Sequence, residues 1–263
     1  MDLNLAGKTV VVTGGGSNIG RAICHDFAKE NVKLAIAELD EAQGQKVAEQ
    51  AKALGCEVMF VKTDITKNDQ VEAMIKAVND KFGTVDVLVN NVGWNIDDLF
   101  MNETREKWEK IIAINFWGML NCTRAVMDQM IAAKKGAVVN IGSDAGRMGE
   151  FREVVYSGCK GGVIGFTKAL AREVGKNGIR LNVVCPGLTI PESGDDIGDN
   201  SLWAGDMLKI FTPEAQARAA KGYPLRKIGK PDEVSKAVIF MASDCASHIT
   251  GQTLSVSGGY TMI

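Results

Sequence analysis

Short apolar segments typical of β-strands alternate with longer helical patterns along nearly the whole sequence. In the first part of the chain, strand and helix patterns pair as 8–13 with 20–30, 33–37 with 41–54, and 57–62 with 68–82. The alternation continues with strands at 85–90, 137–141, 180–185 and 253–256, and with helices at 108–130, 156–174 and 232–243. Because strands that alternate with helices pair in parallel, this order predicts a parallel sheet of about seven strands.

Several predicted strands are apolar at consecutive positions, as in residues 10–12 and 87–89. Such runs indicate that helices cover both faces of the sheet. No Pro-rich or Gly-rich linker and no internal repeat divides the sequence. The prediction is therefore a single-domain α/β chain over residues 1–263, with a doubly wound parallel sheet of Rossmann type. Residues 188–222 interrupt the alternation, and a connection of this length predicts a substrate lid.

The charge balance argues against several classes of partner. The 263 residues include 30 Lys and Arg against 32 Asp and Glu, a formal net charge of −2 at pH 7. Without a basic patch, neither nucleic acid nor a membrane is an expected partner. No apolar run reaches the ~20 residues of a membrane-spanning helix, and no basic-then-apolar leader opens the sequence, so a cytoplasmic protein is expected. His25 and His248 lack neighbours at ligand spacing, so no metal site is expected.

A glycine-rich turn follows the first predicted strand. Residues 13–20 read Thr-Gly-Gly-Gly-Ser-Asn-Ile-Gly and lead into a helix. Glycines let backbone N–H groups approach a pyrophosphate at a helix N-terminus. Glu38 ends the second strand, 18 residues after Gly20, where a carboxylate can bind ribose hydroxyls and repel a 2′-phosphate. The pattern predicts NAD rather than NADP; the alternatives are a structural tight turn and a solvated charge before a helix.

Polar side chains follow the third and fourth predicted strands. Asp64 and Ile65 end the third strand, and residues 90–93 after the fourth read Asn-Asn-Val-Gly. An open α/β sheet binds its ligand at the carboxyl ends of its strands, so these residues are candidates for the wall of that site. Taken singly, each could instead cap a helix or tie a loop.

Ser143, Tyr156 and Lys160 form the most specific chemical pattern, with Asn115 upstream. Tyr156 and Lys160 are four residues apart in a helical pattern, so the phenol and the ammonium share one helix face. The cation is expected to lower the pKa of the phenol, which makes Tyr156 a candidate general acid and base for an alcohol proton. Ser143, 13 residues before Tyr156 and after the fifth strand, sets this pattern apart from a chance pairing.

With these motifs, the sequence resembles the short-chain dehydrogenase/reductase family over essentially its full length. Residues 13–20 resemble that family's T-G-x-x-x-G-x-G turn, 90–93 its N-N-A-G, 156–160 its Y-x-x-x-K, and 186–187 its P-G after the sixth strand. Asn18, Val92 and Pro191 depart from the family pattern, which has Gly, Ala and often Thr at these positions. Asn tolerates a left-handed backbone, so the first departure need not abolish binding.

The resemblance implies a role for each residue of the motifs. Ser143 would hold the substrate oxygen, and Tyr156 would donate or remove the proton. Lys160 would bind the nicotinamide ribose and lower the pKa of Tyr156, and Asn115 would hold a water in a proton relay. The residues implied to bind the cofactor NAD are Gly14, Ser17, Asn18, Ile19, Glu38, Asp64, Ile65, Asn91, Tyr156, Lys160 and Thr189.

Within the family, residues 90–94, 159–162, 182–187 and 249–259 most resemble hydroxyacyl-CoA dehydrogenases of anaerobic aromatic degradation, 2-hydroxycyclohexanecarboxyl-CoA dehydrogenase above all. This implies an NAD-dependent enzyme that interconverts a secondary alcohol and a ketone on a β-hydroxyacyl-CoA with an alicyclic or aromatic acyl group. Two alternatives stay open: an NADPH-dependent 3-oxoacyl-[acyl carrier protein] reductase, and a catalytically silent NAD-binding subunit. The expected assembly is a homotetramer, or a hetero-oligomer with a paralogous subunit.

The small-molecule substrate, an acyl-CoA in this interpretation, is predicted to contact Trp94, Ser143, Arg147 and Arg152. The arginines lie between Ser143 and Tyr156, where a guanidinium could pair with a carboxylate or a CoA phosphate. Alternatively, the two arginines lie in a solvated loop or at a subunit interface. The lid is expected to contribute Trp203, Met207, Leu208 and Phe211.

Overall fold

The computed structural model describes residues 2–194, 197, 198, 201, 203, 204 and 207–263. These residues form a seven-stranded sheet in which every neighbouring pair is parallel, in the order β3-β2-β1-β4-β5-β6-β7. The strands are β1 Thr9–Thr13, β2 Lys33–Glu38, β3 Glu57–Lys62, β4 Val87–Asn90, β5 Gly136–Ile141, β6 Ile179–Pro186 and β7 Thr253–Val256. The predicted α/β fold with a doubly wound parallel sheet is confirmed.

Helices cover both faces of this sheet. They are α1 Asn18–Lys29, α2 Glu41–Ala53, α3 Asn68–Phe82, α4 Arg105–Ile112, α5 Gly118–Ala133, α6 Ala145–Met148, α7 Val154–Val174, α8 Met207–Ile210, α9 Pro213–Ala220 and α10 Pro231–Ala242. The short helices α8 and α9 lie within the predicted lid, residues 188–222. Among the described residues, no helix has the length and apolar character needed to cross a membrane.

Successive side chains of a strand fill two different hydrophobic cores. Val10 and Val12 of β1 belong to one core, together with Phe27 of α1. Val11, between them, belongs to the core on the opposite face, together with Val126 of α5. Because alternate side chains point to opposite faces of a strand, an unbroken apolar run is what a sheet covered on both sides requires.

The strand order reverses between β1 and β4, and a crevice opens at this point. Thr13 and Asn90, the last residues of the two strands, are register partners. The Asn91 side chain donates from Nδ2 to the carbonyl oxygens of Thr13 at 3.1 Å and Gly14 at 2.9 Å. This amide therefore ties the two strand ends together at the edge where a doubly wound sheet binds its ligand.

A π-helical turn, Ala113–Trp117, joins α4 to α5 where the hydrophobic pattern predicts a continuous helix over 108–130. Asn115 lies in this turn and is buried. Its Nδ2 donates to Ile111 O at 2.9 Å, the acceptor that an α-helix would give to the backbone N–H of Asn115. The side chain thus stabilises the wider turn, a feature found often at functional sites and invisible to hydrophobic periodicity.

A buried polar network links β4 and β5 to the helices behind them. Asn90 Nδ2 donates to Thr123 Oγ1 at 2.9 Å and to Asn140 Oδ1 at 2.8 Å. Asn140 Nδ2 donates to Thr167 Oγ1 at 2.8 Å, and that hydroxyl donates to Val163 O at 2.7 Å. Buried polar groups need hydrogen-bond partners, and these bonds form only when α5 and α7 are correctly placed on the strands. The network therefore fixes the position of both helices.

We expect Asn140→Ala to lower the free energy of unfolding by about 2–4 kcal/mol, because it deprives Asn90 and Thr167 of partners and leaves a small cavity. Urea unfolding followed by circular dichroism measures the change. The control is Asn68→Ala, which removes one exposed bond to Glu72 and should cost less than ~0.5 kcal/mol. Equal losses in the two variants would contradict the role of the network.

Candidate active site

A cleft of about 1120 Å³ opens at the carboxyl ends of the strands. Most residues selected from the sequence line it: Gly14, Ser17, Asn18, Ile19, Glu38, Asp64, Ile65, Asn91, Trp94, Ser143, Tyr156, Lys160 and Thr189. Asn115, Arg147 and Arg152 are not among the lining residues. The structure therefore brings the predicted cofactor residues and three of the four predicted catalytic residues to one cavity.

The turn after β1 depends on left-handed backbone and on a close approach of the chain to itself. Gly14 and Asn18 have φ angles of +64° and +44°. Asn is among the residues that tolerate this conformation, which explains how Asn18 can stand where the family has glycine. A Cβ at Gly20 would lie 1.9 Å from Gly14 O, so the start of α1 requires a glycine there.

Two buried polar atoms of this turn have no partner among the described residues. Ser17 directly precedes α1, yet its side chain makes no capping bond, and both Ser17 Oγ and Asn18 Oδ1 are unpaired. The first N–H groups of α1 are free of intrahelical partners as in any helix, and they carry the positive end of the helix dipole. A hydroxyl donor beside these groups fits the pyrophosphate of a dinucleotide.

Glu38 places a fixed negative charge at the end of β2. Its Oε2 accepts the Gly16 N–H at 3.0 Å, and its Oε1 accepts the next two backbone N–H groups at 2.7 and 3.1 Å. These bonds orient the carboxylate while Oε2 keeps a lone pair for a ribose hydroxyl. Asp40 lines the same part of the cleft. Among the described residues in the segments that follow β1 and β2, none that lines the cleft carries a positive charge.

Ser143, Tyr156 and Lys160 meet where β5 and α7 border the cleft. Lys160 is 2% exposed; its Nζ donates to Ile141 O at 2.9 Å and lies 5.5 Å from the centre of the Tyr156 ring. The phenol of the half-buried Tyr156 is hydrogen-bonded to Ser143. A Cβ at Gly146 would lie 2.5 Å from the Lys160 carbonyl carbon, so close packing of α6 on α7 fixes the helix that carries both groups.

Burial governs the ionisation of the phenol and the ammonium. Desolvation lowers the pKa of Lys160 to about 8. Desolvation also raises the pKa of Tyr156; the charge of Glu153 raises it further, and the bond to Ser143 lowers it. The sequence analysis expected a lowered phenol pKa, but in the folded site burial outweighs the other influences. Tyr156 is therefore neutral at pH 7 and able to donate a proton.

Asn115 lies behind the cleft wall rather than on its surface. Its Nδ2 donates to Trp94 O at 2.7 Å, and its Oδ1 accepts the Trp94 N–H at 3.2 Å. A Cβ at Gly93 would lie 3.3 Å from Asn115 Oδ1 and 3.4 Å from Lys160 Nζ. Asn115 thus fastens the segment after β4 to the π-helical turn, on the side of the buried lysine. Its predicted role in a proton relay stays a prediction.

The two arginines predicted to contact the substrate have partners within the protein. Arg147 is largely buried, with Nη1 3.9 Å from Asp144 Oδ1. Arg152 has a φ of +67°, and its Nη2 lies 3.4 Å from Asp97 O and 3.9 Å from Asp98 Oδ1. Because neither guanidinium lines the cleft, their contact with an anionic substrate group stays a prediction without support from this geometry.

Four charged residues at the substrate end were missed by the sequence analysis. Lys110 Nζ lies 3.9 Å from the centre of the Trp94 ring, and Asp97, Glu150 and Glu153 line the same cleft. Glu150 and Glu153 occupy the interval from which the arginines were selected, so the sequence offered a signal for them. Lys110 and Asp97 belong to no motif, and only the folded chain brings them to the cleft.

The predicted lid is covered in part by the described residues. Trp203 is buried, lines the cleft and meets the Phe211 ring edge-on, with ring centres 5.3 Å apart. The side chains of Met207 and Leu208 lie outside the described part of the chain. Ala219 of α9 also lines the cleft. The described residues thus add apolar side chains to the cleft wall, while the lid boundaries of 188–222 stay a prediction.

The class of protein follows from this geometry together with a comparison with known families. A family model described as Enoyl-(Acyl carrier protein) reductase matches residues 14–261, almost the whole chain. The chain belongs to the short-chain dehydrogenase/reductase family, whose members are oxidoreductases that bind a nicotinamide cofactor.

Three similar proteins are each named 3-oxoacyl-[acyl-carrier-protein] reductase FabG. The protein of Chlamydia trachomatis serovar D is 37% identical over 256 residues, 97% of this chain and 98% of the relative. The protein of Staphylococcus epidermidis RP62A is 36% identical over 258 residues, 97% of this chain and 99% of the relative. The protein of Vibrio cholerae serotype O1 is 35% identical over 261 residues, 99% of this chain and 100% of the relative. These names do not support the narrower resemblance to hydroxyacyl-CoA dehydrogenases of aromatic degradation.

We expect Gly20→Ala to weaken binding of a nicotinamide dinucleotide at least about tenfold, or ~1.4 kcal/mol, because the new Cβ would overlap Gly14 O. The control is Gly165→Ala, whose new Cβ on α7 would meet nothing within 4 Å and lies outside the cleft lining, so the dissociation constant should stay within about threefold. Isothermal titration calorimetry measures both constants, and thermal unfolding checks that the variants fold. Parental affinity in the Gly20 variant would show that the turn does not hold the cofactor.

Proposed function

We propose that the protein is an NAD-linked oxidoreductase that interconverts a 3-hydroxyacyl thioester and the corresponding 3-oxoacyl thioester. The observation that carries this proposal is the meeting of Ser143, Tyr156 and Lys160 in the cleft of a chain whose relatives are named 3-oxoacyl-[acyl-carrier-protein] reductase. Those names favour a 3-oxoacyl thioester over the alicyclic or aromatic β-hydroxyacyl-CoA expected from the sequence. A carrier protein and coenzyme A both form such thioesters, and the first experiment below distinguishes them.

In the proposed mechanism, Ser143 and Tyr156 hold the substrate oxygen. Ser143 Oγ accepts the Ala145 N–H at 3.1 Å, and its hydroxyl hydrogen, which is directed to Tyr156 in this structure, would turn to the substrate oxygen when the substrate binds. In ketone reduction Tyr156 gives its proton to the oxygen, and in alcohol oxidation the phenolate takes that proton. The nicotinamide, when bound, supplies or accepts the hydride at the carbinol carbon.

Lys160 stabilises the phenolate and holds the cofactor in this proposal. One of its three ammonium protons is used by Ile141 O, so two remain for ribose hydroxyls. Its buried cation offsets the negative charge that forms on Tyr156 during alcohol oxidation. Asn115 Oδ1 has a second acceptor position beyond its bond to Trp94, where it can hold the water of a proton relay on the Lys160 side.

NAD is the proposed cofactor because of the charge at the end of β2. A 2′-phosphate there would face the carboxylates of Glu38 and Asp40, with no cation from the described lining residues that follow β1 or β2. An NADPH-dependent 3-oxoacyl-[acyl carrier protein] reductase is the second candidate, favoured by the names of the relatives and opposed by this charge. The complete Ser143, Tyr156 and Lys160 geometry argues against a catalytically silent subunit.

We expect Tyr156→Phe to lower kcat/KM at least about 100-fold while NADH binding stays within about threefold, because the substitution removes only the proton donor. The assay follows NADH oxidation with acetoacetyl-CoA and with acetoacetyl-[acyl carrier protein]. The control is Tyr223→Phe, a second tyrosine of the cleft, which should lower kcat/KM less than about fivefold. Turnover near the parental value in the Tyr156 variant would overturn the mechanism. Failure of the parent protein to reduce either thioester would overturn the substrate class.

We expect Glu38→Ala to lower the ratio of kcat/KM with NADH to that with NADPH by about tenfold or more, or ~1.4 kcal/mol. The reason is that the variant loses both the ribose hydrogen bond and the repulsion of a 2′-phosphate. Glu41→Ala is the control, since Glu41 is an exposed carboxylate paired with Lys62 and lies outside the cleft lining. An unchanged ratio in the Glu38 variant would mean that another group selects the cofactor.

A further inference from the structure

Two carboxyl groups lie against each other on the cleft wall beside Tyr156. Asp97 follows β4, Glu153 directly precedes α7, and both line the cleft. Asn95 Nδ2 bridges them, 3.1 Å from Asp97 Oδ1 and 3.4 Å from Glu153 Oε1. The negative charge of Asp97 also acts on Glu153. The pair therefore joins the segment after β4 to the start of the helix that carries the phenol.

The pKa of Glu153 is raised to about 7, chiefly by burial and also by the charge of Asp97. As the pH rises through neutral, Glu153 therefore loses its proton and the pair gains a negative charge.

No ion pair among the described residues joins a cation to the carboxylate of Asp97 or Glu153. Among the described residues, the charged and titratable groups near the pair or the Tyr156 phenol include Glu150, Arg152, Lys160 and Cys185, and Lys110 lines the same cleft. Glu150, which accepts the Tyr260 hydroxyl, adds negative charge near Glu153. Arg152 reaches the carbonyl oxygen of Asp97 instead of its carboxylate. Lys110 is stacked on Trp94. The negative charge of the pair therefore opposes the effect of Lys160 on Tyr156, and neither Lys110 nor Arg152 is paired with the carboxylates of the pair.

We propose that the Glu153–Asp97 pair is a positioning group that controls proton transfer at Tyr156 through its charge. The inference rests on the proposed function, in which Tyr156 exchanges a proton with the substrate. Glu153 precedes Tyr156 by three residues, about one helical turn, so its charge acts at short range. When the pair loses its proton, the added negative charge opposes the phenolate. Alcohol oxidation, which needs the phenolate, is then held back, while ketone reduction keeps its protonated donor to higher pH.

The test is the pH profile of kcat/KM for oxidation of the 3-hydroxybutyryl thioester that the parent protein accepts, with NAD in excess. Glu153→Gln removes the ionisable group and keeps its shape. We expect the pH of half-maximal oxidation to fall by about 0.5–1 unit, with the high-pH plateau changed less than about threefold. Asp97→Asn should move the midpoint in the same direction, and it provides a second variant if the first folds poorly.

Asp98→Asn is the matched control, because Asp98 belongs to the same segment but lies outside the cleft lining. Its Oδ1 accepts the Leu99 N–H at 2.8 Å and a bond from Asn102 at 3.2 Å. Its midpoint should stay within about 0.2 unit of the parental value. Unmoved midpoints in the Glu153 and Asp97 variants, or a uniform loss of rate at every pH, would overturn the inference. An active Tyr156→Phe protein would instead overturn the proposed function, so the two failures are distinguishable.

Discussion

The reversal of strand order between β1 and β4 is the constraint on which the site depends. All strands of a parallel sheet end at one edge, but a crevice opens only where neighbouring connections leave toward opposite faces. The register partners Thr13 and Asn90 end at that point, and the Asn91 amide binds the carbonyl oxygens of Thr13 and Gly14. The glycine-rich turn is therefore positioned by polar bonds across the switch point as well as by its own strand.

The charged groups at the two ends of the cleft differ in kind. At one end a carboxylate is held in a fixed orientation, and at the other end groups can gain or lose a proton near neutral pH. At the end of β2 three backbone N–H groups orient the Glu38 carboxylate. Its negative charge therefore has a fixed position, from which it would discriminate between NAD and NADP in the proposed function. Around Tyr156, burial moves ionisation toward neutral pH, with the pKa of Lys160 lowered to about 8 and that of Glu153 raised to about 7. Groups that can change charge near neutral pH are thus concentrated where a proton must move.

Local pattern was sufficient to predict the sheet and the position of the glycine-rich turn at its edge, because both are built from short segments with regular spacing in the sequence. The apolar run 10–12 and the glycine-rich turn are of this kind. The π-helical turn could not be predicted, since Asn115 stabilises it partly through Trp94, 21 residues away. The orientation of the Arg152 side chain could not be predicted either. Its left-handed backbone lets the guanidinium approach Asp97 O, and sequence position alone does not report a positive φ.

The reaction class and the substrate are determined by different parts of this molecule. The sheet, the polar network on Asn90 and Asn140, and the packing of α6 on α7 fix the phenol and the ammonium relative to the strand ends. Relatives that are 35–37% identical align with nearly the whole chain, so the similarity includes the segments that form this framework. Side chains at the proposed substrate end, such as Trp94 and Glu153, lie on connections between strands and helices. Connections tolerate substitution without loss of the sheet, so the choice of substrate can change while the framework stays the same.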